Sequence, residues 1–414
     1  MKNWKWLHMT KTMSRNKYLF IVVSFLLWFP HFMYVPILSP YMEVIGTPYT
    51  FIGIVLGSYG LTQLLFRLPI GITSDIAKLR KPFIILGMVM SMLSCLIFIT
   101  MDGVLWLLLA RSLAGLAAAS WVAFTVLYPI YFSEDKVHVA MGSISFVVVL
   151  AQFIGMSFSG YIVNEWGWKA PFWIGGIFSV VGLILSFFIY EPKSKEVSAP
   201  INMKELTTVI REPSLLKISL LSIVAHSIIF STMFGFTSTY AIHVGFETSE
   251  LTLIVFAFMI PHAIATLFMG NVLVPRLGEG KSLMGAFLLA SIFTFMIPFT
   301  DTKNLFLVVQ GFSGFALGLI FPLLLSMSIK SIAPEKRATA MGAYQSLYAI
   351  GIFVGPFLTG LINATFGVES GFYFLAGLAF VATVLIIIWY REEIFSTFLS
   401  KEERKKENKK RDIL

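Results

Sequence analysis

Single basic residues interrupt the long apolar stretches of this chain, and a charge in such a place points to chemistry. Arg111 lies in the apolar stretch 104–131, with Gly115 and Ala119 four and eight residues further on, so a narrow face of small residues runs beside it. An unpaired arginine at the centre of a membrane helix costs roughly 2.5–3.5 kcal/mol on insertion scales. We therefore predict that Arg111 binds a ligand or takes part in coupling. The alternative is a structural arginine bonded to carbonyl groups of a neighbouring helix.

A second arginine within an apolar stretch, Arg67, follows Tyr59 and Gln63 at intervals of four residues. This spacing places the three side chains on one face of a helix, where they form a polar stripe. Arg67 also lies near one end of its stretch, where it can reach the water interface or pair with Asp75. The sequence leaves these interpretations open.

Histidines are the remaining candidates for proton chemistry, because no Asp or Glu lies in the interior of an apolar stretch; Glu43 and Asp75 lie at helix ends. His31, His226 and His262 can titrate near neutral pH. His31 and His262 each follow a proline, which bends a helix and frees a carbonyl group. If a proton is coupled, we expect His31 or His262 to carry it ahead of His226. The alternative is that these histidines are hydrogen-bonded structural residues.

The elements that carry these side chains are membrane helices. Of the 414 residues, 57% are hydrophobic and 13% are charged, and the mean hydropathy is +0.83. A soluble chain of this length needs more charge to cover its surface, so the apolar excess must face lipid. Twelve stretches are long and apolar enough to cross a bilayer. They cover residues 18–40, 50–72, 82–100, 104–131, 138–164, 170–190, 217–241, 250–274, 281–299, 304–329, 338–363 and 370–390.

The two halves of the chain repeat one another. With a shift of 200 residues Gly155 falls on Gly355, and with a shift of 199 Arg111 falls on Gln310. We therefore predict an all-α membrane protein of two pseudo-symmetric six-helix bundles, with a substrate site between them. The predicted bundles are residues 1–190 and 217–391, joined by a cytoplasmic linker, 191–216, and followed by a basic cytoplasmic tail, 392–414.

Positive charge sets the expected orientation. With both termini in the cytoplasm, every Lys and Arg outside the helices lies on that side except Lys169 and Lys303, as the positive-inside rule requires. We expect a monomeric, multi-pass protein of the cell membrane. The net charge of +9 then reflects orientation and contact with the anionic surface of the lipid bilayer, and no nucleic-acid partner is expected.

The loop between the second and third stretches resembles a family motif. It reads Gly71-Ile72-Thr73-Ser74-Asp75-Ile76-Ala77-Lys78-Leu79-Arg80-Lys81-Pro82, which resembles the G-x-x-x-D-R/K-x-G-R/K-K loop of the major facilitator superfamily. The sequence departs from that motif at Ile76, where the family has a basic residue, and the repeat of the loop has Pro275 in place of Asp. The resemblance implies a gating loop that holds the two halves together in one state and releases them in another. Its residues would be Gly71, Asp75, Arg80 and Lys81.

Two other segments resemble motifs of the same family. Arg111-Ser112-Leu113-Ala114-Gly115 resembles the R-x-x-x-G motif of the fourth helix, which implies a cavity-facing arginine involved in coupling. Arg67-Leu68-Pro69-Ile70-Gly71 resembles the R-x-P-x-G of nitrate and other oxyanion carriers, and also of members with other substrates. Oxyanion carriers place a second arginine in helix eight, where this chain has Leu267.

Small residues predict close helix packing in the eleventh and fifth stretches. Gly351 and Gly355 are four residues apart, Pro356 bends the helix, and Gly360 follows. Gly155 is the partner of Gly355 in the first half. In the family, a G-P version of this motif on the fifth helix marks drug antiporters; Met156 occupies the proline position here, so drug efflux is not supported.

The sequence contains no nucleotide-binding P-loop, no metal-ligand cluster and no catalytic-triad spacing, so we expect no enzyme activity, no cofactor and no metal. The resemblance implies a secondary transporter that moves a small solute by alternating access, driven by a proton, another ion or the solute's own gradient. The alternatives are an anion carrier that uses Arg67 and Arg111, and a non-transporting sensor built on the same fold. The cavity should be lined by helices one, four, seven and ten. The candidate substrate or coupling residues are Arg111, Arg67, Gln63, His31, His262 and Gln310, with aromatics such as Trp121.

Overall fold

The computed structural model describes residues 2–133, 136–192, 208, 211–330, 332 and 337–394. Within these residues it contains twelve helical spans, which we label α1 to α12, and the predicted all-α fold is confirmed. Eleven are long and apolar enough to cross a membrane, and α6 is a shorter apolar helix. The spans are α1 Arg15–Val44, α2 Tyr49–Ala77, α3 Lys81–Thr100, α4 Val104–Tyr131, α5 Val139–Trp166, α6 Ala170–Ser186, α7 Pro213–His243, α8 Thr248–Leu277, α9 Glu279–Phe299, α10 Lys303–Ser328, α11 Ala340–Phe366 and α12 Val368–Trp389.

Some helix ends differ from the predicted stretches. Helix α6 ends at Ser186 and not at residue 190, because the amides of Phe188 and Ile189 donate to Leu185 and Ser186 in turns. In α1, α5, α10 and α11 the helical structure continues beyond the span given above, by a few residues or more. Their outer limits are Lys2, Val137, Lys330 and Arg337. The basic tail from residue 395 and most of the linker lie outside the described residues.

Several spans are irregular near their middle, where a proline or glycine interrupts the helix. Proline accounts for part of this in α1, which contains Pro30 and Pro36. In α7, Gly235 has non-helical backbone angles, φ −132° and ψ −106°, within a π-helical segment. The regular pieces are Lys2–Met33 and Val35–Val44 in α1, Val104–Ala119 and Trp121–Leu127 in α4, Pro213–Ser231 and Thr237–His243 in α7, and Leu251–Phe268 and Val274–Leu277 in α8.

The bundle has two faces. The face that carries Arg15, the loop 78–80 and Tyr390 is called the termini face. The other face is called the opposite face, and it carries the loops 45–48, 101–103, 167–169, 244–247 and 300–302.

Inside each half, the second and fourth helices cross where a glycine leaves no side chain. A methyl group on Gly115 of α4 would lie 2.4 Å from the carbonyl oxygen of Tyr59 on α2. A methyl group on Gly314 of α10 would lie 2.2 Å from the carbonyl oxygen of Phe258 on α8. Both pairs are related by the same shift of 199 residues, so the sequence repeat is one helix crossing made twice.

Symmetric contacts also join the two halves near the opposite face. A methyl group on Gly360 of α11 would lie 2.5 Å from the carbonyl oxygen of Tyr49 at the start of α2. A methyl group on Gly160 of α5 would lie 2.1 Å from the carbonyl oxygen of Thr248 at the start of α8. A buried hydrophobic cluster that includes residues of α1, α2, α7 and α8 fills the space between these crossings. The halves are therefore sealed against each other at this end.

Helices α5 and α8 separate toward the termini face. Phe153 packs on Phe256 with ring centroids 5.5 Å apart. The residues that continue these two helix faces toward the termini, Phe146 and Leu267, are 65% and 69% exposed. Helices α5 and α8 thus meet near the opposite face and diverge from it, whereas α2 and α11 remain in contact as far as Arg67 and Tyr348.

Candidate functional site

Arg111 is buried at the centre of the first half, with 2% of its surface exposed. Helix α4 carries it one turn before Gly115, and the close crossing at Gly115 brings α2 against it. The guanidinium carbon lies 4.2 Å from the centroid of the Tyr59 ring and 5.7 Å from that of Tyr34. The faces of these rings carry partial negative charge and offset part of the cost of burying the cation.

The guanidinium group lacks the partners that a buried arginine normally has. Its Nε and Nη1 atoms are buried without a hydrogen-bond acceptor, and within the described residues it forms no ion pair with an acidic side chain. The indole Nε1 of Trp28, a neighbour of His31, is also buried without an acceptor. The site therefore holds more hydrogen-bond donors than acceptors.

His31 lies between α1 and α4. Its Nδ1 is 2.6 Å from the carbonyl oxygen of Leu27, and its Nε2 is 3.1 Å from that of Ala114. A neutral imidazole has one N–H and can donate to only one of these oxygens, whereas the doubly protonated ring can donate to both. This geometry is compatible with both the structural and the proton-carrying interpretation of His31.

A small cavity joins Arg111 to the second half. Its walls come from α1, α2 and α4 in the first half and from Phe230 and Phe234 of α7 in the second. The cavity has a volume of about 10 Å³, which is close to that needed for a single water molecule. Helix α7 is irregular from Thr232 to Phe236, so Phe234 lies within the irregular segment and Phe230 lies just before it, at the end of the regular piece Pro213–Ser231. The lining residues are His31, Phe32, Val35, Tyr59, Arg111, Phe230 and Phe234.

Arg67 bridges the two halves and is not among the residues that line this cavity. Its Nη2 donates to Gln63 at 2.8 Å, and its Nη1 contacts Tyr348 and Gln345 of α11 at 3.3 and 3.5 Å. His226 of α7 stacks on Tyr348 with ring centroids 4.0 Å apart. These side chains form a cross-half network in which Arg67 is bonded to neutral groups and Asp75 is not its partner.

The gating-loop residues form bonds within the first half in this structure. Asp75 forms an ion pair with Arg80. Glu191, after α6, accepts hydrogen bonds from the backbone amides of Arg80 and Lys81 at 2.6 and 3.0 Å. A methyl group on Gly71 would have only Val122 nearby, at 3.5 Å. The loop is therefore anchored to the end of α6.

The second half repeats this anchor. Glu393, after α12, accepts a hydrogen bond from the amide of Gly280 at 2.8 Å, at the start of α9. Sequence reasoning missed Glu191 and Glu393, although each follows the last helix of its half and their separation of 202 residues is close to the repeat.

His262 and Gln310 lie in the second half, away from the Arg111 cavity. The His262 ring stacks on Phe258 with centroids 5.6 Å apart. Gln310 is 1% exposed, and its Nε2 atom has no hydrogen-bond partner. Trp121 packs edge-to-face against Trp28 at 5.4 Å. Of the predicted cavity residues, the structure brings Arg111 and His31 together and places Gln310 and Trp121 elsewhere.

The glycines expected to pack helices lie at three different crossings. Methyl groups on Gly351 and Gly355 of α11 would approach α7, at 2.1 Å from the Ile223 oxygen and 2.5 Å from the Ser227 Cα. Gly155 faces α1, and Gly360 faces α2 across the two halves. Pro356 lies in α11, and its carbonyl oxygen faces Gly53 of α2.

A polar contact that the sequence analysis did not identify lies at the opposite face. Glu43 at the end of α1 accepts hydrogen bonds from Tyr49, at 2.5 Å, and from His243 of α7, at 2.9 Å. Nearby, the hydroxyl groups of Ser39 and Thr239 are 2.7 Å apart. Both cross-half pairs are 200 residues apart, so each joins two equivalent positions across the pseudo-symmetry axis. The repeat itself could have revealed them.

Ionisable groups outside the spans include Lys169 on the opposite face. Its Nζ lies 2.9 Å from a carboxylate oxygen of Asp102, and this hydrogen bond raises the pKa of Lys169 above its usual value. Among the described residues no three His, Cys, Asp or Glu side chains are grouped so that they could hold a metal ion.

Comparison with known proteins identifies a family and several proteins that this chain resembles. A family model described as Major Facilitator Superfamily matches residues 20–251 and 221–413. The inner membrane transport protein YajR of Escherichia coli (strain K12) is 28% identical over 374 residues, which cover 86% of this chain and 78% of that protein. The structure is similar to that of a bacterial homolog to the human lysosomal transporter Spinster in an inward-facing and occupied conformation, with a TM-score of 0.75, 13% identity and coverage of 91% and 97%. A crystal structure of the nucleoside transporter NupG, in a mutant form, gives a TM-score of 0.73 with 13% identity and covers 90% and 99% of the two chains.

Proposed function

The chain belongs to the major facilitator superfamily, and we propose that the cavity beside Arg111 is where it holds a small solute between its two six-helix bundles. It is a multi-pass membrane transporter of the secondary, alternating-access type and not an enzyme. One observation carries the proposal: a buried arginine, without an acidic partner among the described residues, lines a cavity closed by residues of the other bundle.

The arrangement supports a mechanism in which the solute connects the two halves. Arg111 on α4 offers N–H groups to an electron-rich group of the solute, and Phe230 and Phe234 on α7 cover the solute from the second half. When the halves rock about this point, the cavity opens to one face of the membrane and then to the other. Because the two sides of the site move with different bundles, binding and rocking are linked.

The distribution of charge supports an orientation with the termini face in the cytoplasm, since nearly all Lys and Arg residues outside the helices lie on that side. The sealed opposite face then faces outward. The site is complete within one chain, so a monomer suffices for transport.

Substrate counterflow in proteoliposomes tests the proposal. A thermal-shift screen of metabolites and drugs identifies a bound compound, because a ligand of the folded state raises its apparent stability. The labelled compound is then accumulated by vesicles that hold wild-type protein. We expect Arg111→Ala to abolish this accumulation while the protein still reaches the membrane, because the variant loses the buried guanidinium.

Arg276→Ala is the matched control, because Arg276 is exposed at the termini end of α8. It should transport like the wild type. Normal counterflow by Arg111→Ala would show that the cavity is not the substrate site.

A further inference from the structure

We infer that the solute is a monoanion with an apolar or aromatic body, whose carboxylate or similar group binds Arg111. This inference rests on the proposed function and names the chemical class of the solute. It depends on three features of the described site: an uncompensated charge, an excess of hydrogen-bond donors and an apolar wall.

The charge of Arg111 requires a partner that the described residues do not supply. A buried arginine is stable in a membrane protein when it is paired or fully hydrogen-bonded. Here two aromatic rings face the guanidinium group, and its Nε and Nη1 atoms have no acceptor. A carboxylate provides both the opposite charge and the missing acceptors.

The surrounding polar groups favour an acceptor as well. The indole N–H of Trp28 is buried without a partner close to His31. The backbone oxygens of Leu27 and Ala114 face the two ring nitrogens of His31, and a neutral ring donates to only one of them. A cationic solute would face Arg111 without an acidic group of the described site to bind it, and like charges at this depth repel strongly.

The remaining wall limits the solute to one negative charge. Apart from Arg111, the lining consists of His31, Tyr59 and the apolar side chains Phe32, Val35, Phe230 and Phe234. A second buried arginine, Arg67, is bonded to Gln63, Gln345 and Tyr348 and does not line the cavity. A dianion such as phosphate would therefore bury one charge unpaired, whereas an aromatic or aliphatic body fits the ring faces of the wall.

The cavity in this structure has room for about one water molecule, about 10 Å³. Binding of the solute therefore requires the wall supplied by the second half to move. Phe234 lies in the irregular segment of α7 and Phe230 lies just before it, so we expect this part of α7 to make room for the solute.

Matched probes test the inference directly. The purified full-length protein is titrated with 3-phenylpropanoate, 3-phenylpropanamide, 3-phenylpropylamine and inorganic phosphate, and binding is followed by tryptophan fluorescence and thermal shift. Benzoate, phenylacetate, indole-3-acetate and butyrate extend the carboxylate series. We expect at least one carboxylate to bind at least tenfold more tightly than its amide and its amine, and phosphate to give no response.

Variants identify the responsible residue. Arg111→Gln should lose the carboxylate response, Arg111→Lys should keep the preference for the acid over the amide, and Arg67→Gln should bind carboxylates within a factor of a few of the wild type. Size-exclusion chromatography of each variant establishes that it is folded. Equal binding of acid and amide, preference for the amine, an unchanged response in folded Arg111→Gln, or no response to any carboxylate up to roughly 10 mM would overturn the inference.

Counterflow separates failure of this inference from failure of the proposed function. If the vesicles exchange a neutral or cationic solute and Arg111→Ala abolishes that exchange, the site is correct and the solute class is wrong. If Arg111→Ala exchanges the solute normally, the site itself is wrong.

Discussion

At the scale of single residues, the proposed chemistry of this transporter depends on basic groups that are buried without acidic partners among the described residues. His31 is held by Leu27 and Ala114 so that both ring nitrogens face carbonyl oxygens. His226 has its Nδ1 2.8 Å from the carbonyl oxygen of Ser222 and stacks on Tyr348. Each ring is therefore fixed by neighbours from other helices, and a change in its protonation would alter those contacts.

We predict that proton dependence of transport, if present, runs through these histidines. Transport by wild-type protein should then show an apparent pKa within about one or two units of the free imidazole value of about 6.5. His31→Gln, His226→Gln and His262→Gln, singly and together, should alter that pH profile, with His31 and His262 having the larger effects. The measurement is the pH dependence of counterflow.

His138→Gln, at the start of the helix that carries α5, serves as the control. A triple variant that keeps both its activity and its pH profile would rule out histidine coupling. Another ion, the solute's own gradient, or a proton carried by Glu43 or Asp75 at the helix ends would then remain.

The sequence identified Arg111 and His31 but not most of the groups around them. A charge stands out in an apolar stretch because its burial is costly, so its position alone is informative. Tyr34, Phe230 and Phe234 do not stand out in a chain with 15% aromatic residues. The contact between Arg67 and Tyr348 spans 281 residues and depends on how the two bundles dock, which no local pattern records.

At the scale of elements, glycines set how closely the helices approach. Gly360 is the clearest case across the two halves, because a methyl group there would lie 2.5 Å from the Tyr49 oxygen and 2.7 Å from the Gly53 Cα. These are backbone atoms, which cannot move aside as a flexible side chain can. The crossing of α2 and α11 therefore tolerates no side chain at this position.

We predict that Gly360→Leu destabilises the sealed state by at least about 1–3 kcal/mol, the usual cost of overpacking. The fraction of protein molecules whose two halves are separated at the opposite face should rise about tenfold or more. Accessibility of a cysteine at Ser39 to a membrane-impermeant reagent, in a Cys95→Ser background, measures this. Gly377→Leu is the control, since a methyl group there meets nothing within 4 Å; equal reactivity of the two variants would contradict the prediction.

The loop between α2 and α3 leads to a second prediction at this scale. Asp75 and Arg80 pair within the first half, so the pair acts on the position of the helix ends and not on the solute. We expect Asp75→Asn to slow turnover by more than it weakens solute binding. Counterflow rate and equilibrium binding, measured on the same preparation, check this.

Asp102→Asn is a matched control, because it removes a carboxylate from an exposed ion pair, and exposed ion pairs contribute little to stability. The prediction is wrong if Asp75→Asn weakens binding while the exchange between conformations stays at the wild-type rate.

The sequence predicted the helices well and their contacts less well. The hydrophobic stretches located the twelve helices, since length and hydropathy suffice for that. The sequence predicts that Gly351, Gly355 and Gly360 pack helices, and the spacing places Gly360 about half a turn around the helix from Gly351. In the structure Gly351 and Gly355 meet α7, whereas Gly360 meets α2. The spacing gives the face of each glycine, but not which helix packs against that face.

At the scale of the whole molecule, the proposed transport requires two bundles that move as units. The opposite face is closed by the α2–α11 and α5–α8 crossings and by the pairs Ser39–Thr239 and Glu43–His243. The repeat predicted two bundles, but it could not predict which face is closed, because the same helices serve both states. Only the contacts between the halves distinguish the states.

Double electron–electron resonance on two pairs of spin labels tests the movement of the bundles most directly. In a Cys95→Ser background, one pair is placed at the exposed positions Leu105 and Leu305 near the opposite face, and the other at Ile76 and Leu277 near the termini face. We predict that wild-type protein in nanodiscs favours the shorter distance at the opposite face. Glu43→Gln, which weakens the closure with His243, should lengthen the first distance and shorten the second. If both distances lengthen together, or if neither changes in protein that transports, the bundles do not alternate about the Arg111 cavity.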